Sequence, residues 1–66
     1  MQIHINARPM ALAQPLTLDA LLDTLNQPKA GIALAVNQKI IARSQWTHHT
    51  LTDGDEVTLI TATAGG

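Results

Sequence analysis

Only one stretch of this chain repeats its apolar residues with the period of a helix, and every other patterned stretch has the period of a strand. Leu18, Leu21, Leu22 and Leu25 fall at i, i+3, i+4 and i+7, behind Thr17 as an N-cap and with Asp19 where the helix dipole favours a negative charge. Asn26-Gln27-Pro28 ends that helix, because proline disfavours helical geometry in the residue before it and cannot donate a backbone hydrogen bond. A single helix among strands predicts an α+β domain, with one sheet burying a face against the leucines.

The strands are read from period two. Met1 to Asn6 alternates apolar and polar residues as a half-buried strand does. Ala7-Arg8-Pro9 is expected to turn the chain into a weaker strand from Met10 to Gln14. After Gly31, Ile32-Ala33-Leu34-Ala35-Val36 alternates large and small apolar residues, fitting a strand with one face against the helix. Asn37-Gln38 turns into a short strand, Lys39-Ile40-Ile41. Ala42 to Thr52 has no clean period; Ser44 is expected to cap a brief helical turn there, and Trp46, the one aromatic residue, to plug the core beneath the loop. Asp53-Gly54-Asp55 makes a turn before the last strand, Glu56 to Thr63. The order of hairpin, helix, hairpin and final strand describes a ubiquitin-like β-grasp. Its core is expected to join the helix leucines to Ile3, Ile5, Leu34, Val36, Val57 and Leu59.

Size and composition bound what such a domain does. At 66 residues it is one domain, residues 1–66, and it buries only about 60% of its unfolded surface, which leaves little room for a catalytic cleft. Apolar residues make up 45% of the chain, too many for a disordered tail, yet no run reaches the roughly 18 needed to span a membrane. The start at Met1 shows no secretory pattern, so the cytoplasm is the expected location. A net charge of −1, dispersed basic residues and a lone aromatic argue against a nucleic-acid partner. The absence of cysteine excludes disulfides, thiolate zinc sites, catalytic thiols and side-chain persulfides.

The chain resembles the ThiS-type sulfur carrier proteins of thiamine biosynthesis along its whole length. The resemblance is carried by Ala35-Val36-Asn37, Ile41-Ala42-Arg43 with Trp46 three residues on, Leu51-Thr52-Asp53-Gly54-Asp55-Glu56-Val57, and the terminal Ala64-Gly65-Gly66. Ala42 departs from the family, which often has proline before the arginine. The small subunit of molybdopterin synthase shares the fold, the Asp-Gly-Asp turn and the Gly-Gly end, but it usually runs longer and tends to carry paired prolines where this chain has Thr61-Ala62-Thr63-Ala64. The thiamine branch is therefore preferred. A β-grasp binding module with an inert tail is the alternative from a different functional class.

The resemblance implies a protein cosubstrate, not an enzyme, with no permanently bound cofactor or metal. An E1-like adenylating enzyme of the ThiF type would use ATP to convert the Gly66 carboxylate to an acyl-adenylate. Sulfur from a donor enzyme such as a cysteine desulfurase would then yield a Gly66 thiocarboxylate, which passes its sulfur to a thiazole synthase of the ThiG type. Gly65 and Ala64 are expected to thread Gly66 into these partners on a slim tail, residues 64–66, since a β-carbon would widen the thread and narrow its backbone choices. If Val57 and Leu59 face the core, period two sends Thr58, Ile60 and Ala62 to the opposite face, making Ile60 an exposed apolar docking candidate. Arg43 is a further docking candidate, its ordinary role being a solvated or locally paired charge.

Other sets carry less. His4, His48 and His49 lack convincing metal-ligand spacing, and Ser44, His48 and Asp53 have neither a nucleophile elbow nor an oxyanion-hole signature to make them a triad.

Overall fold

A computed structural model describes residues 1–61. Its elements follow the expected order: strands β1 (Gln2–Ile5) and β2 (Arg8–Ala11), helix α1 (Leu18–Thr24), strands β3 (Ile32–Val36) and β4 (Lys39–Ile41), a 3-10 turn (Arg43–Gln45) and strand β5 (Glu56–Thr61). The strands form one mixed sheet in the order β2-β1-β5-β3-β4, with β1 and β5 parallel and the other neighbours antiparallel. This is the β-grasp arrangement, with the strand that leads to the C-terminus at the centre of the sheet. Among the described residues, no helix is long and apolar enough to cross a membrane.

Two asparagines set the hairpins. Asn6 and Ala7 have φ of 50° and 69°, and Asn37 and Gln38 have φ of 52° and 71°. Two consecutive left-handed residues make the turn whose twist matches the flanking strands, and asparagine tolerates that region better than most residues. The first turn therefore falls at Asn6-Ala7, not at the expected Ala7-Arg8-Pro9, and β2 runs from Arg8 to Ala11 instead of Met10 to Gln14. Pro9 does not break the strand, because β2 is an edge. Its pairing with His4, next to the turn-closing Ile5–Arg8 pair, is one that uses no ladder hydrogen bonds.

The helix starts as its sequence predicts and stops for a different reason. Thr17 Oγ1 accepts from the Ala20 N–H at 3.1 Å. At the other end Asn26 adopts φ 57°, its N–H donating to Asp23 O at 3.1 Å, while Gln27 N–H donates to Leu22 O at 3.0 Å. This left-handed cap closes the helix before Pro28 is reached. Lys29 folds back on the helix, with Nζ 3.0 Å from Asp19 and 3.2 Å from Asp23. Hydrogen bonds to those two carboxylates hold the Lys29 ammonium above its ordinary pKa.

The core joins Leu18, Leu21 and Leu22 of the helix to Ile3, Leu34, Val36 and Val57 of the sheet, with Ile5, Leu25 and Leu59 half-buried at its margin. Leu12, Leu51 and Trp46 complete it. Trp46 is buried as expected, and its indole N–H donates to Ile41 O at 3.1 Å, so burial leaves no polar group unsatisfied there. The aperiodic segment serves the helix as well. Leu18 N–H donates to His49 O at 3.0 Å and Asp19 N–H to Trp46 O at 3.2 Å, which satisfies amides that a helix start otherwise leaves orphaned. Ser44 does not cap the 3-10 turn; Ala42 occupies the cap position and contributes no side-chain bond, and the turn rests on Gln45 N–H to Ala42 O at 2.8 Å.

Candidate functional site

The candidate site has two parts in sequence, the terminal segment and the sheet face that leads toward it. Ala62, Ala64, Gly65 and Gly66 lie outside the described residues. The sheet face is built up from strand register. Directly opposed residues share a face, and alternate residues along one strand share it too. Leu34 opposes Leu59 and Ile41, and Val36 opposes Val57, so these lie on the helix side. The other face then carries Ala35 opposite both Ile40 and Thr58, and Ala33 opposite Ile60.

The outer face thus has an apolar strip, Ile40–Ala35–Ala33–Ile60, running diagonally over three strands. Ile60 is 48% exposed, in agreement with the sequence expectation, and Thr58 beside it is also exposed. Ile40, at 65% exposure, is the residue that sequence reasoning missed. The signal was present: once Asn37-Gln38 is recognised as a two-residue turn, the register places Ile41 inward and Ile40 outward. Between the two isoleucines stand only alanines, Ala35 and Ala33. Ala35 is buried yet belongs to this face, and it stands outside the helix-side core.

Arg43 does not join that strip. It lies on the 3-10 turn, with its guanidinium carbon 5.9 Å from the centroid of the Trp46 ring, a cation–π contact that makes it a locally engaged charge. Ala42 before it has φ −61° and ψ 143°, backbone angles that proline also adopts.

The internal motif residues turn out to clip β5 to its neighbours. Asp55 accepts from Asn37 Nδ2 at 3.1 Å and from Thr52 N–H at 2.9 Å, while Asn37 Oδ1 accepts from Glu56 N–H at 3.0 Å. Asp53 accepts from Gln2 N–H at 2.6 Å, and Gly54, at φ 89°, donates its N–H to Gln2 O at 2.7 Å. The Asp-Gly-Asp turn thereby ties the start of β5 to β1 and to the β3–β4 turn. Burial alone raises the Asp55 pKa, but the Thr52 N–H, the Asn37 amide and the Thr52 hydroxyl outweigh it together with nearby His49, so the carboxyl sits below its usual value of 3.8. These contacts also occupy Asp53 and Asp55 in holding the fold. Among the described residues, no three His, Cys, Asp or Glu side chains form a group able to hold a metal ion.

Comparison with known proteins agrees with this architecture along the whole chain. Residues 3–66 match the ThiS family. The chain is 46% identical over 66 residues to the sulfur carrier protein ThiS of Escherichia coli K12, covering 100% of both sequences. The crystal structure of the thiamine biosynthesis protein ThiS from Geobacter metallireducens superimposes with a TM-score of 0.86 at 26% identity, covering 100% of both chains. The solution structure of a thiamine biosynthesis protein from the same organism gives a TM-score of 0.82 at 26% identity, over 100% of this chain and 88% of the other.

Proposed function

The chain belongs to the ThiS family of sulfur carriers in thiamine biosynthesis, and from that premise we propose that it carries sulfur on Gly66 as a terminal thiocarboxylate. The observation that supports this most strongly is the end-to-end identity with a sulfur carrier, in a chain with no cysteine to hold sulfur anywhere else. The protein is a small carrier and not a catalyst. Its chemistry is done by partners.

A terminal carboxylate has a pKa of about 3.3–3.7, so at neutral pH it is an anion and a poor electrophile. Activation by a ThiF-type E1-like enzyme removes that obstacle. A carboxylate oxygen of Gly66 attacks the α-phosphorus of ATP, pyrophosphate leaves, and the acyl-adenylate presents AMP as a good leaving group. A persulfide sulfur, supplied through a donor enzyme such as a cysteine desulfurase, then attacks the acyl carbon and displaces AMP. A thiol cleaves the S–S bond of the acyl disulfide so formed, itself ending as a disulfide. The resulting thiocarboxylate gives its sulfur to a ThiG-type thiazole synthase. ATP is consumed by the partner and is not a resident cofactor of this chain, and the cycle is placed in the cytoplasm.

The folded body supplies the grip. Ile60 and Ile40, with Thr58 beside them, form the surface by which the adenylating enzyme and the synthase hold the carrier; Ala62, outside the described residues, is a docking candidate on sequence period alone. Arg43, stacked on Trp46 and exposed, offers a charge to an acidic group at the margin of a partner. Gly65 and Ala64 thread Gly66 into the reaction centre. Removal of Gly66 is expected to abolish adenylation and Gly66→Ala to slow it, measured as AMP transfer from ATP in the presence of the adenylating enzyme. Full adenylation of the truncated chain would refute the assignment.

A further inference from the structure

Strand β5 is held on one side by a side chain that imitates a strand. β1 pairs with β5 at His4–Glu56 and Ile5–Val57, and the backbone bonds run from His4 N–H to Asp55 O and from Asn6 N–H to Val57 O, each 2.9 Å. There β1 ends, because Asn6 enters the left-handed turn. The Asn6 side chain then takes over the ladder. Its Oδ1 accepts from Leu59 N–H at 2.9 Å, and its Nδ2 lies 3.4 Å from Leu59 O as donor. A carboxamide presents the same donor and acceptor pair as a peptide group, so it occupies the place of the next strand residue. On the other side β5 stays paired with β3 through Ile32–Thr61. Leu59, whose N–H and C=O both meet the Asn6 amide, is therefore the last described residue of β5 bonded on the β1 side.

We propose that Asn6 is a positioning residue for the terminal reaction: by clamping Leu59 it sets the direction in which β5 delivers the chain toward Gly66. This rests on the carrier reading above. The turn alone does not account for the contact, since asparagine is favoured at this left-handed position whatever its amide touches. Asn37 occupies the equivalent position of the second hairpin and spends its amide on Asp55 and Glu56 instead. Loosening Leu59 spreads the end of β5 over more directions, and the apparent affinity of a partner that needs one of them falls in proportion to the competent fraction.

Two variants of the full chain separate the amide from the turn. Asn6→Gly keeps the left-handed backbone and removes the clamp, and Asn6→Asp restores the acceptor for Leu59 N–H. In Asn6→Gly, hydrogen exchange at the Leu59 amide is expected to speed up by roughly fivefold, the loss of one net hydrogen bond, with the Leu34 amide in β3 unchanged. The KM of the adenylating enzyme for the carrier rises by a similar factor while kcat holds, and Asn6→Asp recovers most of both. Unchanged Leu59 exchange would overturn the clamp. Equal acceleration at Leu34 and Leu59, or faster Leu59 exchange with an unchanged KM, would overturn the positioning role. A wild-type chain that accepts no AMP would instead count against the carrier reading, and so against any role for Asn6 in it, while the exchange experiment still decides whether Asn6 anchors the strand.

Discussion

Replacing Asp55 with alanine tests whether the Asp-Gly-Asp turn is a structural clip. The substitution removes the acceptor of Asn37 Nδ2 and of Thr52 N–H, leaving Asn37 Oδ1 as the remaining tie to Glu56. A hydrogen bond to a charged group contributes about 1.5–3 kcal/mol when buried, but the partners here are exposed, so each bond is taken at about 0.5–1 kcal/mol and the pair at about 1–2 kcal/mol. For a domain of this size that lowers Tm by roughly 4–16 °C. The pH dependence carries a sign. Because the folded Asp55 carboxyl lies below its unfolded value of 3.8, its ionic contribution is fully present above that value and is lost as pH falls through the folded pKa. Denaturant titrations of wild type and Asp55→Ala should therefore differ most above about pH 5, with the gap starting to narrow below pH 3.8 and closing only as pH falls through the folded pKa. A double-mutant cycle with Asn37→Ala should return a coupling of about 0.5 kcal/mol or more. Equal midpoints at neutral pH, or a gap that persists undiminished in acid, would refute the clip.

Gln38 occupies a left-handed position that glycine adopts without a steric penalty, so Gln38→Gly should raise the unfolding free energy by about 0.5–1 kcal/mol, read as a higher denaturant midpoint, and a fall would contradict the turn assignment. Ile60→Asp and Ile40→Asp remove exposed apolar groups from the strip, so each should fold with a loss of about 1 kcal/mol or less while raising the KM for adenylation at least tenfold, as expected of a docking residue worth roughly 1.4 kcal/mol. Folded variants with unchanged kinetics would leave the strip without a docking role.

The elements with strong local periods were legible in the sequence. Leu18, Leu21 and Leu22 gave the buried helix face, Thr17 its start, and alternation in β1, β3 and β5 the inward residues Ile3, Leu34, Val36 and Val57. The missed features depend on partners distant in sequence or on backbone angles that composition does not print. Pro9 looked like a turn residue because its position on an edge strand, where it gives up no ladder bond, is a property of the sheet. Leu51 lies in the stretch without a period and Leu12 in one that reads only as a weak strand, and both are buried by packing against residues distant in sequence. The exposed apolar face was half legible: Ile60 followed from period two, while Ile40 required the register of the second hairpin. Asn6 was read as the end of a strand, because its link to Leu59 spans 53 residues and leaves no local signal.

Gly66 is the proposed sulfur site, serving the thiamine branch. The most direct test of that assignment is the intact mass of the protein after incubation with ATP and a sulfur source, with adenylating enzymes from thiamine and molybdopterin synthesis supplied in parallel reactions. The expected result is the mass change of one oxygen-to-sulfur exchange, localised to Gly66 and obtained with the thiamine enzyme. An unchanged mass with that enzyme, or the exchange only with its molybdopterin counterpart, would contradict it.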